Sequence, residues 1–146
     1  MTHVPLKELT YFVRNVLASV HMSPKKERAY IIGLSGDLGA GKTTFVQALA
    51  REFHIPETVQ SPTYVLMKSY PIKFDGYRKL IHIDAYRLEA QEEFASLKPA
   101  EFLYDPEALV VVEWPENVQE ALPTPDIMIN FTADGAAPEE RYIEVV

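Results

Sequence analysis

Ala29-Tyr30-Ile31-Ile32-Gly33-Leu34-Ser35-Gly36-Asp37-Leu38-Gly39-Ala40-Gly41-Lys42-Thr43-Thr44 decides the fold. Its first half, from Ala29 to Ser35, is a short isoleucine-rich apolar run ended by glycine, as suits a buried strand. The residues after Gly41 begin a helix that runs to about His54. Between them, Gly36 to Thr43 matches the pattern G-x-x-x-x-G-K-S/T in full and in the strand–loop–helix context that gives the pattern its meaning. Glycines at 36, 39 and 41 allow the backbone to curl so that successive N–H groups face one anion, and the helix N-terminus adds its partial positive charge. The ligand implied is a nucleoside triphosphate, expected to be ATP. Lys42 is placed to reach its β- and γ-phosphates, and the Thr43 hydroxyl to ligate the accompanying Mg²⁺. Asp37 lies in the same loop, where its side chain is expected to brace the turn or face solvent.

Working outward, Leu6, Leu9, Phe12, Val13, Val16, Leu17 and Val20 recur at helical spacing and predict an amphipathic helix starting just after Pro5. Lys25, Lys26 and Arg28 form a basic cluster beside Pro24 and read as a solvated loop. After the nucleotide-binding segment, Pro56 and Pro62 bracket a loop. Thr63 to Tyr70 then alternates as a strand, Phe74-Asp75-Gly76-Tyr77 supplies a turn, and Arg78 to Asp84 returns as the partner strand. Glu89 to Leu103 is partly helical, with Pro99 interrupting it or starting a new turn. Ala108-Leu109-Val110-Val111-Val112-Glu113 has the continuous apolar body of a parallel strand covered on both faces. Asp126 to Thr132 and Arg141 to Val146 are two more strands, separated by the turn-prone Ala133-Asp134-Gly135-Ala136. Alternating strands and helices around the glycine loop predict an α/β chain with the three-layer P-loop NTPase fold, its central sheet mainly parallel with some antiparallel strands.

Phosphoryl chemistry needs a second acid to hold the metal or orient the attacking water, and open α/β sheets present such groups at the carboxyl ends of strands. Glu113 and Asp84 both occupy that position, and spacing alone leaves open which lies closer to the metal. Tyr86, Arg87 and Trp114 adjoin these acids and either shape a binding surface or pack. Ser61-Pro62-Thr63-Tyr64 falls where nucleotide switches place a hydroxyl, although Ser-Pro before a strand is also an ordinary turn. His82 alternates with Ile81 and Ile83, which predicts a half-buried or surface histidine with no metal role.

The whole chain bounds these expectations. Its 146 residues are the length of one domain, 1–146, with 47% apolar and 24% charged residues, an ordinary globular composition. A net charge of −7 argues against a broad nucleic-acid-binding surface. The absence of cysteine excludes disulfides, thiolate zinc sites and a cysteine nucleophile. No apolar run approaches the length a bilayer requires, and Lys7, Glu8 and Arg14 do not suit a signal peptide, so a cytoplasmic location is expected.

Four segments together resemble the bacterial TsaE (YjeE) family: Gly36 to Thr44, Ser61-Pro62-Thr63-Tyr64, His82-Ile83-Asp84-Ala85-Tyr86-Arg87-Leu88 and Glu113-Trp114-Pro115-Glu116. The resemblance implies a Mg²⁺-dependent ATPase subunit, weak by itself, of the machinery that makes N6-threonylcarbamoyladenosine (t6A) in tRNAs reading codons that begin with adenine. It further implies docking on the partner subunits TsaB and TsaD, which bind tRNA and transfer the threonylcarbamoyl group, so that this chain meets tRNA only indirectly. Carried over by residue, Lys42 and Thr43 keep their roles, Glu113 becomes an acid on the Mg²⁺ side and Asp84 a second essential carboxylate. Thr63 becomes the switch-region hydroxyl, and Trp114 stands at the nucleotide site. Lys25-Lys26-Glu27 and Lys73-Phe74-Asp75-Gly76 are local elaborations, and Lys98-Pro99 stands where relatives commonly carry glycine.

Two other readings share the loop. A small-molecule P-loop kinase needs lid arginines, whereas Arg14, Arg28, Arg51, Arg78, Arg87 and Arg141 are scattered. A nucleotide-dependent switch with negligible hydrolysis would bind ATP without needing Glu113.

Overall fold

The computed structural model describes residues 2–5, 8–37, 39–56, 67–86, 90–132 and 140–145. Its strands are β1 (Thr2–Pro5), β2 (Tyr30–Gly36), β3 (Met67–Phe74), β4 (Tyr77–Asp84), β5 (Ala108–Glu113), β6 (Ile127–Thr132) and β7 (Glu140–Val145). Helices α1 (Leu9–Met22), α2 (Lys42–Glu52), α3 (Ala90–Ser96) and α4 (Ala100–Leu103) complete it, with a 3₁₀ turn at Pro115–Asn117. The strands form one sheet in the order β1-β7-β6-β2-β5-β4-β3. Its centre, β6-β2-β5-β4, is parallel, and β1, β7 and β3 add antiparallel flanks.

Strand alternation sorts the apolar side chains into two cores. Tyr30, Ile32, Leu34, Leu80, Leu109, Val111 and Ile129 face α1 and α2, whose own apolar stripes include Val13, Val16 and Val20 on α1 and Phe45, Val46 and Leu49 on α2. Phe45 meets Phe12 and Phe131 edge-on at centroid distances of 5.9 and 6.0 Å, an arrangement favoured by the ring quadrupoles. Ile31, Ile81, Ile83, Val110 and Val112 face the other way, against Phe94, Phe102, Leu103, Val118 and Leu122. The helices therefore cover both faces, which is why β5 is buried along its whole length.

The architecture agrees with the three-layer α/β expectation, and its departures have physical causes. The N-terminal segment contains a strand, β1, before the helix, held by antiparallel pairing to β7. Strand β3 continues past Tyr70 through Pro71 to Phe74. Proline is tolerated there because β3 is the sheet edge, where no further ladder needs its missing N–H. The expected hairpin turn has Asp75 at φ 50° and Gly76 at φ 87°, the paired left-handed conformation that matches strand twist. Helices α3 and α4 are separated at Lys98-Pro99, with Lys98 at φ 55°.

The basic cluster lies in an exposed loop, as expected, and its cations also form ion pairs. Lys25 donates to the Asp75 carboxylate at 2.9 Å, while Lys26 and Arg28 converge on Asp126, whose side chain is only 6% exposed. Asp126 also accepts from the backbone N–H of Ile31 at 2.8 Å and thereby ties the start of β2 to the start of β6. Burial pushes the Asp126 pKa upward, but hydrogen bonds from Lys26, Ile31 and Arg28 outweigh it and leave the carboxyl below the ordinary aspartate range. Because the folded carboxylate releases its proton more readily than the unfolded one, its contribution is complete above pH ~4 and fades as pH falls through the lower folded value. Replacing Asp126 by Asn should therefore cost about 1.5–3 kcal/mol at neutral pH in urea unfolding, with the gap between variant and wild type closing below pH ~4.

Candidate functional site

The site is assembled where β2, β5 and β4 end side by side. Parallel register pairs Leu34 with Glu113 and Glu113 with Asp84, so the two acids point to the same face of neighbouring strands. The glycine loop starts two residues after Leu34. Gly36 has φ 137° and lies so close to the Phe131 carbonyl of β6 that a Cβ would collide with it, hence the requirement for glycine. Gly41, at φ 111°, turns the chain into α2 as its N-cap. No side chain caps that helix, and its first turn carries no acid, which leaves the positive end of α2 directed at the loop.

Lys42 is folded inward and only 4% exposed. Its ammonium donates to the carbonyls of Gly36 and of Asp37, the latter at 2.8 Å, and lies 4.3 Å from the centre of the Trp114 ring. Desolvation lowers its pKa from the ordinary lysine value, opposed by the charges of Glu113, Asp84 and Glu116. Asp37 itself is exposed, as expected, and it braces the turn through its main chain, its carbonyl accepting from Ala40 N–H at 3.0 Å.

Glu113 is 3% exposed and fully engaged. Thr43 Oγ1 donates to its Oε1 at 3.1 Å, and His82 Nε2 lies 2.6 Å from Oε2. His82 corrects the expectation of a half-buried or surface histidine: it is 0% exposed. The signal was available in its spacing, because residue 82 shares a strand face with residue 84 and hence with the acid on the neighbouring strand. Its Nδ1 has no hydrogen-bond partner among the described residues.

Beyond the acids the chain turns sharply. Asp84 Oδ1 accepts from Tyr86 N–H at 3.1 Å, and Asn117 donates to the carbonyls of Ala85 and Tyr86 at 2.7 and 3.3 Å, locking the end of β4 to the 3₁₀ turn after β5. Trp114 takes a left-handed backbone, φ 62°, fixed by its N–H on Leu34 O at 2.9 Å. Its ring lies 5.2 Å from that of Tyr86. Asn117 was not anticipated from sequence, since nothing in its surroundings marks a carbonyl clamp.

Gly39, Gly41, Lys42, Thr43, Thr44, Asp84, Tyr86, Glu113 and Trp114 line one small cavity of about 150 Å³, and Gly36, Asp37 and Ala40 form the loop wall beside it. Leu38, Thr63 with its Ser61–Tyr64 segment, and Arg87 lie outside the described residues. No group of three acidic or histidine side chains arranged to hold a metal occurs among the described residues. Mg²⁺ nevertheless suits the donors present, because it prefers oxygen ligands and is commonly held by one or two carboxylates together with substrate phosphates.

These features define an α/β protein of the P-loop class. The chain belongs to the TsaE family: the family model described as "Threonylcarbamoyl adenosine biosynthesis protein TsaE" matches residues 8–143. Similar proteins named tRNA threonylcarbamoyladenosine biosynthesis protein TsaE include that of Haemophilus influenzae, 33% identical over 78% of this chain and 70% of its own. That of Treponema pallidum is 38% identical over 75% of this chain and 78% of its own. A crystal structure of YdiB from Bacillus subtilis superposes with a TM-score of 0.64 at 26% identity, over 97% of this chain and 80% of that one. Among the described residues no helix is long and apolar enough to cross a membrane.

The buried ammonium of Lys42 implies that the ligand-free fold gains little from it. Lys42→Met should unfold with stability between unchanged and about 1 kcal/mol higher at neutral pH. Because the folded pKa is lowered, the penalty is complete below that folded value and shrinks as pH rises through it toward the ordinary lysine value of about 10.4. Urea unfolding at pH 7 and pH 10 checks both points.

Proposed function

We propose that this chain binds ATP with Mg²⁺ at the glycine loop and hydrolyses it as the nucleotide-driven component of t6A formation in tRNA. The observation that carries the reading is the convergence of Lys42 and Thr43, at the start of α2, with the register-paired acids Glu113 and Asp84 in one cavity. The loop N–H groups and the α2 N-terminus receive the phosphates. The Lys42 ammonium, which meets the carbonyls of Gly36 and Asp37, would serve the β- and γ-phosphates, whose charge attracts it more strongly than neutral carbonyls do. Thr43, Glu113 and Asp84 would hold Mg²⁺, which neutralises phosphate charge when bound. Glu113 and Asp84 also accept hydrogen bonds from the water that attacks the γ-phosphorus, with ADP and inorganic phosphate as products.

Family membership supports assigning this turnover to tRNA threonylcarbamoylation. TsaB and TsaD are the partners on which the chain docks, and they hold the tRNA. A net charge of −7 supports indirect rather than direct engagement of RNA.

The test is Mg²⁺-dependent ATP hydrolysis by the purified chain, alone and with TsaB, TsaD and tRNA. Stimulation by the partners is expected, and Lys42→Ala and Glu113→Gln should each reduce the stimulated rate by about a hundredfold or more. Phosphate transfer to a small-molecule acceptor without stimulation would instead identify a kinase. Unchanged hydrolysis in Glu113→Gln would remove that residue from the mechanism.

A further inference from the structure

Among the described residues, His82 is the histidine buried beneath the site. It occupies the middle of β4, 0% exposed, with Nε2 2.6 Å from Glu113 Oε2. Thr43 Oγ1 donates to the same carboxylate, 3.1 Å from Oε1 and 3.3 Å from Oε2. Thr43 is the group expected to turn toward Mg²⁺ when nucleotide arrives, and its hydrogen bond to Glu113 is then given up. The histidine contact does not depend on Thr43, because His82 and Glu113 stand on strands paired along residues 79–84 and 108–113 and the ring is fully buried. Among the described residues Nδ1 has no hydrogen-bond partner, so the Glu113 carboxylate is the polar group that the ring engages.

We infer that His82 is a positioning residue, whose Nε2–H holds the Glu113 carboxylate in the orientation that receives Mg²⁺ with the bound nucleotide. The inference rests on the ATPase reading of the site. It adds an outer partner to the metal-side acid, a role that fixes ligand orientation without touching the metal. A neutral donor suffices for it, so the effect requires no change of charge on the ring.

Three variants separate donation from packing. His82→Phe keeps the ring and removes the donor. His82→Gln restores an N–H at about the reach of Nε2 and cannot ionise. His82→Asn is polar but too short to meet Glu113. Binding of a fluorescent ADP analogue is measured first in EDTA and then across a Mg²⁺ titration, with thermal unfolding of each variant alongside. In EDTA all variants should match wild type within about twofold, whereas the Mg²⁺ concentration at half-effect should rise about tenfold in His82→Phe and His82→Asn. His82→Gln should remain within about threefold of wild type.

Wild-type Mg²⁺ dependence in His82→Phe and His82→Asn would overturn the inference. So would an equal shift in all three, or a parallel loss of affinity in EDTA, since either marks general structural damage. A wild-type chain that binds the nucleotide with no Mg²⁺ dependence, or not at all, would overturn the ATPase reading itself, an outcome visible before any variant is compared.

Discussion

Parallel strands cannot be joined by a tight turn, so each crossover carries the chain over a face of the sheet, from the carboxyl end of one strand back to the edge where the next begins. In this protein that constraint sets the site. With β2, β5 and β4 parallel and in register, their carboxyl ends share one edge, where the glycine loop leaves β2 and the acids of β5 and β4 end their strands side by side. The helices that make the crossovers bury both faces of the sheet, and that burial holds the edge in shape. Antiparallel flanks widen the sheet without altering this centre. The outer strand β3 carries Pro71, a residue that discourages further strand addition.

The polar interior at that edge follows from the same packing. A carboxylate buried as deeply as Glu113 requires donors, and the strand face supplies His82 while the start of α2 supplies Thr43. A buried ammonium requires acceptors, and Lys42 finds them in the loop's own carbonyls. Among the described residues, the Lys42 ammonium and the Glu113 carboxylate are thus each met by neighbouring groups. A bound triphosphate would replace these contacts with stronger ones, because phosphate oxygens and a divalent cation outcompete neutral carbonyls and a hydroxyl. The left-handed Trp114, at φ 62°, belongs to this arrangement. Its backbone is fixed by Leu34, which directs the ring over Lys42.

Several features join the site to the rest of the molecule. Asn117 binds the segment after β4 to the turn after β5, so Tyr86 and Trp114 are carried by one unit. Asp126 performs the corresponding task at the opposite end of the sheet, where it gathers Lys26, Arg28 and the start of β2. The family's connection with threonylcarbamoyladenosine biosynthesis gives the site a context. The chemistry of the cavity nevertheless depends on local contacts that the family name does not describe.

By itself the sequence determined the glycine loop, its strand and helix, the strand-end position of Glu113 and Asp84, and the hairpin turn at Asp75-Gly76. These are local properties: a required backbone conformation, a continuous apolar run, or a periodicity is written in neighbouring residues. The tertiary structure decided which strands became neighbours, and with them the burial of His82 against Glu113, the Asn117 clamp, the Asp126 ion pairs and the strand β1. Each joins residues far apart in the chain, and no local signal specifies such a pairing. Only the register of β4 on β5 and the parallel packing of β2 on β6 bring those side chains within hydrogen-bonding distance.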